Sequence, residues 1–104
     1  MKKIYLAIPY SGNENSSFIK ANRAAGKLLM DGNIVFSPIS MSHPIASQCD
    51  LPGDWAFWKK FDEAFIEWCD EMHVICLDGW EKSKGVCAEM KIATRLEKPI
   101  ILIK

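Results

Sequence analysis

Short apolar runs and longer amphipathic segments alternate along the chain. The four runs cover residues 4–8, 34–36, 72–77 and 100–103, and each is typical of a strand buried on both faces of a sheet. Between them, apolar residues recur at helical spacing in three segments, each of which begins at a residue that can cap a helix. These predicted helices run from Asn15 or Ser16 to Asp31, from Asp54 to about Cys69, and from Ser83 to about Leu96.

Residues 37–53 are polar and contain three prolines, so we expect a long loop there, of the kind that often carries function. The order of elements then predicts a single domain, residues 1–104, with an α/β fold. That fold is a three-layer, flavodoxin- or Rossmann-like four-stranded parallel sheet with strand order 2-1-3-4 and three main helices. Ligands of such sheets bind beyond the carboxyl ends of the strands, where residues 9–13, 37–43 and 78–85 would meet.

Composition narrows the class of ligand. Thirteen Lys and Arg residues balance thirteen Asp and Glu residues, which argues against duplex nucleic acid or a membrane surface as a partner. Four cysteines without a C-x-x-C pair are typical of reduced thiols in a cytoplasmic protein, and the two histidines show no zinc-ligand spacing. The chain has neither a G-x-G-x-x-G pattern nor a P-loop. We therefore expect a small-molecule ligand, with no metal and no organic cofactor.

Two acids fall on the core sides of predicted helices. With about 100° per residue, Glu89 lies in the middle of the apolar arc of the third helix, and Asp62 lies between Cys69 and Trp55 on the second. An unpaired buried carboxylate is costly, so each acid needs partners or a function. Both lie about 9–12 Å beyond the start of their helix, at a similar depth below the ligand-binding edge. A structural network with cations or backbone amides is one explanation, and a shared pocket is the other.

A shared pocket with two carboxyl groups is suited to cleaving a glycosidic bond. One carboxylate attacks or stabilises the anomeric carbon while the other group handles the leaving group. A desolvated carboxylate also stabilises the positive charge of an oxocarbenium-like transition state. At Ser83 the third helix presents free N–H groups that suit a phosphate or another anion, although Ser83 is also an ordinary helix cap.

One pattern, which runs from Ser83 through Gly85 and Glu89 to Ala93, occurs together with the opening residues 4–7 and the segment 62–70. The combination resembles the nucleoside 2-deoxyribosyltransferase superfamily, which includes 2′-deoxynucleoside 5′-phosphate N-hydrolases and cytidylate N-glycosidases. Nearly the whole chain is similar to a small bacterial and phage branch of this superfamily, made of domains of unknown function. The motifs of that branch stand here as Ser37-Pro38-Ile39, Ser42-His43-Pro44, residues 51–58 and residues 79–86.

The resemblance implies roles for individual residues. Glu89 would be the nucleophile that attacks C1′ of the sugar, Tyr5 would orient it through its hydroxyl, and Asp62 would assist protonation of the leaving base. Ser83 and the backbone of Gly85 would hold the 5′ end of the substrate. The other implied substrate-binding residues are Tyr10, Ser11 and Gly12 in the first loop, and Asp78 as a second acid near the base.

The sequence departs from this superfamily in two ways. Members often complete the pocket with a residue from a neighbouring subunit after the last strand, whereas this sequence ends at Lys104, so His43 and the tryptophans Trp55, Trp58 and Trp80 are the candidates for that place. The first loop also lacks the arginine of some phosphate-specific members, which leaves recognition of a 5′-phosphate open.

We therefore expect an N-glycosidase or 2-deoxyribosyltransferase acting on a nucleoside or nucleoside 5′-monophosphate, by hydrolysis or base exchange. Two alternatives remain: a nucleotide-binding or sensing module without turnover, and a structural or interaction protein. Four tryptophans and five phenylalanines in 104 residues are more than a four-stranded sheet readily buries, so we also expect a homo-oligomer, at least a dimer.

Overall fold

A computed structural model describes all residues, 1–104, and contains four strands and four α-helices. Strand β2 and strand β4 have the bounds expected from the sequence, and the other expected elements begin or end one or two residues away. The elements in chain order are β1 (Lys3–Ala7), α1 (Glu14–Met30), β2 (Ile34–Phe36), α2 (Pro38–Cys49), α3 (Trp55–Trp68), β3 (Glu71–Ile75), a 3₁₀ turn (Trp80–Lys82), α4 (Lys84–Arg95) and β4 (Ile100–Ile103).

The strands form one parallel sheet in the order β2-β1-β3-β4, as predicted. Strand β1 is central: Tyr5 is in register with Phe36 of β2 and with Met72 of β3. Because all four strands run the same way, their carboxyl ends meet at one edge, which is where the sequence places the ligand.

The helices form two outer layers. Helices α3 and α4 pack against each other and cover the sheet face that carries Tyr5 and Met72. Helix α1 packs against β2 and α2 instead, and the right-handed rule for parallel crossovers places it on the opposite face. The main core lies under α3 and α4, where Ile66, Val86 and Ala93 contact the central strands.

The segment 37–53 was expected to be a loop, and that expectation is wrong, because most of it is helix α2. The helix count is accordingly four rather than three. Pro38 stands at the first helical position, where its fixed φ favours a helix and its missing N–H costs nothing. Pro44 lies inside the helix and removes one backbone hydrogen bond, a loss that packing against α1 and β1 offsets.

Strand β4 is an outer strand of the sheet, and three of its side chains remain partly in solvent. Ile101, Leu102 and Ile103 are each close to two-fifths exposed. Among the helices, none combines the length and the hydrophobicity that crossing a bilayer requires.

Candidate active site

A cavity of about 900 Å³ opens at the carboxyl edge of the sheet. This volume is in the range of pockets that enclose a small organic ligand. Its walls come from the loop after β1, the start of α2, the inner face of α3 and the segment between β3 and α4. The three stretches that the sequence places at this edge therefore contribute to a single cavity.

Glu89 lines this cavity from α4, although only 6% of the residue is exposed. Its Oε2 accepts a hydrogen bond from the hydroxyl of Tyr5, which is fully buried in β1 behind it. Desolvation raises the pKa of Glu89 to about 8, and the negative charge of Asp62 adds to the rise. The hydrogen bond from Tyr5 acts in the opposite direction, because it stabilises the ionised carboxylate.

Asp62 is a buried residue of α3 and lines the same cavity. Only 8% of the residue is exposed, and desolvation raises the pKa of Asp62 to about 7. The two helix-wheel inferences therefore hold: each helix buries one acid, and both acids reach one cavity. Neither acid forms an ion pair, which argues against the structural-network explanation.

Together the two carboxyl groups retain a proton near neutral pH. The pKa of Asp62 lies at about 7 and that of Glu89 at about 8, both raised mainly by burial. Groups coupled in this way titrate as a pair, so the singly ionised form is populated between these two values. Because the pKa of Asp62 is the lower of the two, most singly ionised molecules carry the charge on Asp62 and the proton on Glu89. The hydrogen bond from Tyr5 stabilises the reverse microstate, in which Glu89 is ionised and Asp62 is protonated, and this minor form is the one that attack by Glu89 requires.

A positively charged wall lies beside the acids. Lys20 of α1 lines the cavity together with Lys82 and Lys84, which flank the start of α4. Ser83 caps α4 by accepting a hydrogen bond from the backbone N–H of Val86, at 3.3 Å. Lysine ammonium groups and the N–H groups of a helix N-terminus both attract an anion. Ser83 and Gly85, two of the residues predicted to bind the substrate, lie on this wall.

Helix α3 presents aromatic surface next to its acid. Trp55 and Trp58 line the cavity, and their spacing to Asp62 places all three on one side of the helix. The indole Nε1 of Trp58 donates a hydrogen bond to the carbonyl oxygen of Pro52, at 2.7 Å, which fixes the ring at the cavity mouth. Trp80, the third tryptophan considered from the sequence, lies outside the cavity lining and contacts the core.

The remaining residues predicted from the sequence divide into two groups. Tyr10, Ser11 and Asp78 line the cavity. Gly12 and His43 do not. Gly12 shapes the first loop, where its φ of +93° is readily adopted only by glycine and its N–H donates to Oε2 of Glu14 at 2.9 Å. His43 lies on α2 behind Tyr10, with its Nδ1 hydrogen-bonded to the Tyr10 hydroxyl.

The three lysines that line the cavity were not among the residues predicted from the sequence. Their position in the sequence could have indicated them, because Lys82 and Lys84 directly flank Ser83, in a segment predicted to lie at the ligand-binding edge.

No group of three or more His, Cys, Asp or Glu side chains has the geometry of a metal site.

Comparison with known proteins identifies the family. Residues 2–104 match the family described as Domain of unknown function (DUF1937). Among solved structures, the chain is similar to 2-deoxyribosyltransferase from the psychrotolerant bacterium Bacillus psychrosaccharolyticus, with a TM-score of 0.67 and 28% sequence identity. The similarity covers 96% of this chain and 70% of the other. No curated protein matches the chain.

The resemblance inferred from the motifs is thereby confirmed at the level of the superfamily. The family match extends over nearly the whole chain, and the structural match is to a 2-deoxyribosyltransferase. The chain belongs to the family described as Domain of unknown function (DUF1937), an unknown-function branch of the nucleoside 2-deoxyribosyltransferase-like superfamily.

Proposed function

We propose that this protein cleaves the N-glycosidic bond of a nucleoside or nucleoside 5′-monophosphate through a covalent intermediate on Glu89. The observation that carries the proposal is the pair of buried carboxyl groups, Asp62 and Glu89, which line one cavity and form no ion pair. The similar solved structure is a 2-deoxyribosyltransferase, which supports this class of reaction.

In the first half of the reaction, an ionised oxygen of Glu89 forms a bond to C1′ of the sugar. The C1′–N bond breaks, and its electron pair leaves with the base. The base takes a proton from Asp62, which becomes ionised. Positive charge develops on the sugar in the transition state, and the buried carboxylate of Glu89 stabilises it in a site of low dielectric.

In the second half, water or a second base attacks C1′ and breaks the ester bond to Glu89. Asp62 receives the proton that the attacking group loses, so the pair returns to its starting state. Two displacements at C1′ give net retention of configuration. Attack by water makes the protein a hydrolase, and attack by another base makes it a transferase.

The cationic wall favours a substrate with a 5′-phosphate. Lys82 and Lys84 flank Ser83 at the N-terminus of α4, where a dianion would also receive backbone N–H groups, and Lys20 lines the same cavity from α1. This wall lacks arginine, so recognition would rest on point charges rather than on a bidentate fork. We therefore expect a 5′-monophosphate to be a better substrate than the corresponding nucleoside.

Release of free base from a panel of nucleosides and 5′-monophosphates tests the proposal. Incubation with one substrate and a second free base distinguishes exchange from hydrolysis. The expected result is base release that is abolished in Glu89→Gln and unaffected by Glu67→Gln, an exposed acid on α3. Ligands that raise Tm without any product would instead favour the non-catalytic binding module.

A further inference from the structure

One part of the large cavity combines indole rings with carboxyl groups. Its members are two tryptophans and three aspartates: Trp55, Trp58, Asp54, Asp62 and Asp78. No lysine of α3 lines the cavity, and the three lysines that do belong to α1, the 3₁₀ turn and the start of α4. These five residues therefore form an acidic wall that is separate in the sequence from the cationic one.

Asp62 is the buried member of the acidic wall, and it has no partner within the protein. Only 8% of the residue is exposed. No hydrogen bond or ion pair reaches its carboxyl group, whereas Glu89, the other buried acid, accepts a hydrogen bond from Tyr5. Burying a charge without a counter-charge is costly. A ligand that brings positive charge to Asp62 would remove that cost.

The titration of the two buried acids agrees with a role of Asp62 as a counter-ion. The pKa of Asp62 is about 7 and that of Glu89 about 8, so Asp62 is the first of the pair to ionise. The singly ionised cavity therefore offers its negative charge mainly at Asp62, on the helix side that carries the indoles. In this form Asp62 has no proton for a leaving base, but it can hold a cation.

Indole rings and carboxylates together favour one chemical class of base. The face of an indole attracts a positive charge through its quadrupole, and aromatic side chains of this kind bind quaternary nitrogen in other proteins. A carboxylate attracts the same charge by direct Coulomb interaction. A planar heterocycle with a fixed positive charge would satisfy both Trp58 and Asp62. A neutral base would gain stacking alone.

We propose that the base of the substrate is a positively charged heterocycle, linked to C1′ as a pyridinium or an N-alkylated purine, and that the acidic wall binds it with Asp62 as the counter-ion. This inference rests on the proposed function for the sugar and for the attack by Glu89. It goes beyond that function by naming the class of leaving group and by giving the two indoles a part in its selection.

A cationic base changes the proton requirement of the reaction. An oxygen of Glu89 forms a bond to C1′ while the C1′–N bond breaks, and the electron pair of that bond neutralises the charge of the ring. The base leaves as a neutral molecule without taking a proton. Water then attacks C1′, the bond to Glu89 breaks, and the proton that the water loses passes to Asp62 and on to solvent. Both acids are ionised at the start, a state that the bound cation stabilises.

The test compares ligands that differ in charge but little in shape. The first pair is nicotinamide mononucleotide, which has a pyridinium base, and its reduced form, whose dihydropyridine is neutral. The second pair is 1-methyladenosine 5′-monophosphate, whose methylated ring is cationic near neutral pH, and AMP. The 2′-deoxy forms of all four are included, because the proposed function leaves the sugar open.

Affinities are measured by titration calorimetry at pH 7.5 in the Glu89→Gln background, which prevents turnover. Asp62→Asn removes the counter-ion and keeps the shape of the side chain. Trp58→Phe and Trp58→Leu are a matched pair, since both lose the hydrogen bond to Pro52 and only the first keeps an aromatic face. Glu67→Gln, an exposed acid of α3 outside the cavity lining, is the control for charge at a distance. Melting curves establish that each variant is folded.

We expect the cationic member of at least one pair to bind about tenfold or more tightly than its neutral counterpart. This preference should fall below about threefold in Asp62→Asn and persist in Glu67→Gln. Trp58→Leu should reduce it about threefold more than Trp58→Phe does. With Glu89 intact, the cationic member should release its base faster, and Asp62→Asn should raise KM for that member more than it lowers kcat.

Equal affinity for the cationic and the neutral member of both pairs would overturn the inference, and so would a preference that survives in Asp62→Asn. Failure of every probe to bind would have the same consequence. The proposed function fails separately: a cationic ligand that binds with the expected preference but is never cleaved would refute the enzyme and leave the cation site intact. Base release from the neutral nucleotides alone would do the reverse.

Discussion

The hydroxyl of Tyr5, on the central strand, donates a hydrogen bond to the carboxylate of Glu89 on α4. Tyr5 is fully buried, so the position of its hydroxyl is set by the sheet rather than by solvent. Desolvation and Asp62 both raise the pKa of Glu89, whereas this hydrogen bond lowers it. Tyr5 is thus the group in the protein that favours the ionised, nucleophilic form of Glu89.

Substitution of Tyr5 by Phe should therefore move the pH dependence of the reaction. Without the donor, ionisation of Glu89 requires a higher pH, so the pH of maximal kcat/KM shifts upward and kcat at pH 7.5 falls, by about tenfold or more. Tyr10→Phe is the control for the pH profile alone: it removes a phenol hydroxyl from the cavity that makes no hydrogen bond to Glu89, so it can change KM but should leave the pH of maximal kcat/KM unchanged. An unchanged pH profile in Tyr5→Phe would contradict the assignment.

In the unsubstituted protein, the coupled pair should give a bell-shaped profile. Activity requires one proton on the pair, and the pKa of Asp62 is about 7 while that of Glu89 is about 8. We expect kcat/KM to be highest between pH 7 and 8 and to fall on both sides. Rates measured from pH 5 to 10 at constant ionic strength check this, and a flat profile over that range would be incompatible with the two-carboxyl mechanism.

Glu89→Gln should abolish turnover and stabilise the fold at alkaline pH. Folding raises the pKa of Glu89 from 4.5 to about 8, so the stability associated with its neutral form is fully present below pH 4.5 and is lost as the pH rises through 8. An uncharged amide avoids that loss. We expect a Tm gain at pH 8.5 of roughly 4–8 °C, equivalent to about 1 kcal/mol, and little gain at pH 4.5.

The matched control for this stability effect is Glu67→Gln, which changes an exposed acid on α3. Its Tm should differ little from that of the unsubstituted protein at either pH. A Tm for Glu89→Gln that is lower than that of the unsubstituted protein at pH 8.5 would show that the carboxylate contributes to stability, as in a structural network.

Asp62→Asn should reduce kcat most for bases that leave poorly. The amide cannot give a proton to the departing base, a contribution that general acids make at the level of about 10²–10⁴-fold. For substrates whose base departs without protonation, kcat should change little. Comparison of kcat across leaving groups of different basicity measures this, and an equal loss for all of them would assign Asp62 to binding rather than to proton transfer.

Lys20→Ala should weaken the binding of 5′-monophosphates more than that of nucleosides. Lys20 lines the cavity from α1, and its removal would take one positive charge away from a bound phosphate. We expect KM for the monophosphate to rise about tenfold at low salt and by less at 0.5 M salt, where charges are screened. Lys27→Ala, on the last turn of the same helix, is the control. An equal rise in KM for the 5′-monophosphates and for the nucleosides would argue against a phosphate beside these lysines.

Self-association remains a prediction. Ile101, Leu102 and Ile103 belong to an outer strand and are partly exposed, and Phe57 on α3 is about half exposed. Exposed apolar side chains on a sheet edge favour association with another chain. Sedimentation at micromolar concentration should therefore detect at least a dimer, which Leu102→Lys weakens. A monomer under these conditions would refute the expectation.

Much of this arrangement follows from local patterns in the sequence. Continuous apolar runs identified all four strands, and the alternation of strands and helices predicted that the sheet is parallel. Helical periodicity placed Asp62 and Glu89 on buried faces, which holds because α3 and α4 each have one strongly apolar side. These are properties of single segments, and the sheet topology then brings the two acids to the same edge.

The parts that the sequence missed depend on contacts between distant segments. Helix α2 contains Pro44 and has weak periodicity, and its stability comes from packing on α1. The hydrogen bond between Tyr10 and His43 joins residues that are 33 positions apart, so no local pattern in the sequence predicts it. In the sequence Lys20 resembles any other surface lysine, and only the fold shows that it lines the cavity.

The placement of the helices in two layers has a consequence for how this site can change. Lys20 of α1 and Ser42 of α2 line the cavity from one layer, whereas the acid and the indoles assigned to the base belong to α3 in the other layer. Substitutions in one helix layer need not disturb the side chains that the other layer contributes to the cavity. Engineering for a new leaving group can therefore be confined to α3, while α1 and α2 remain unchanged.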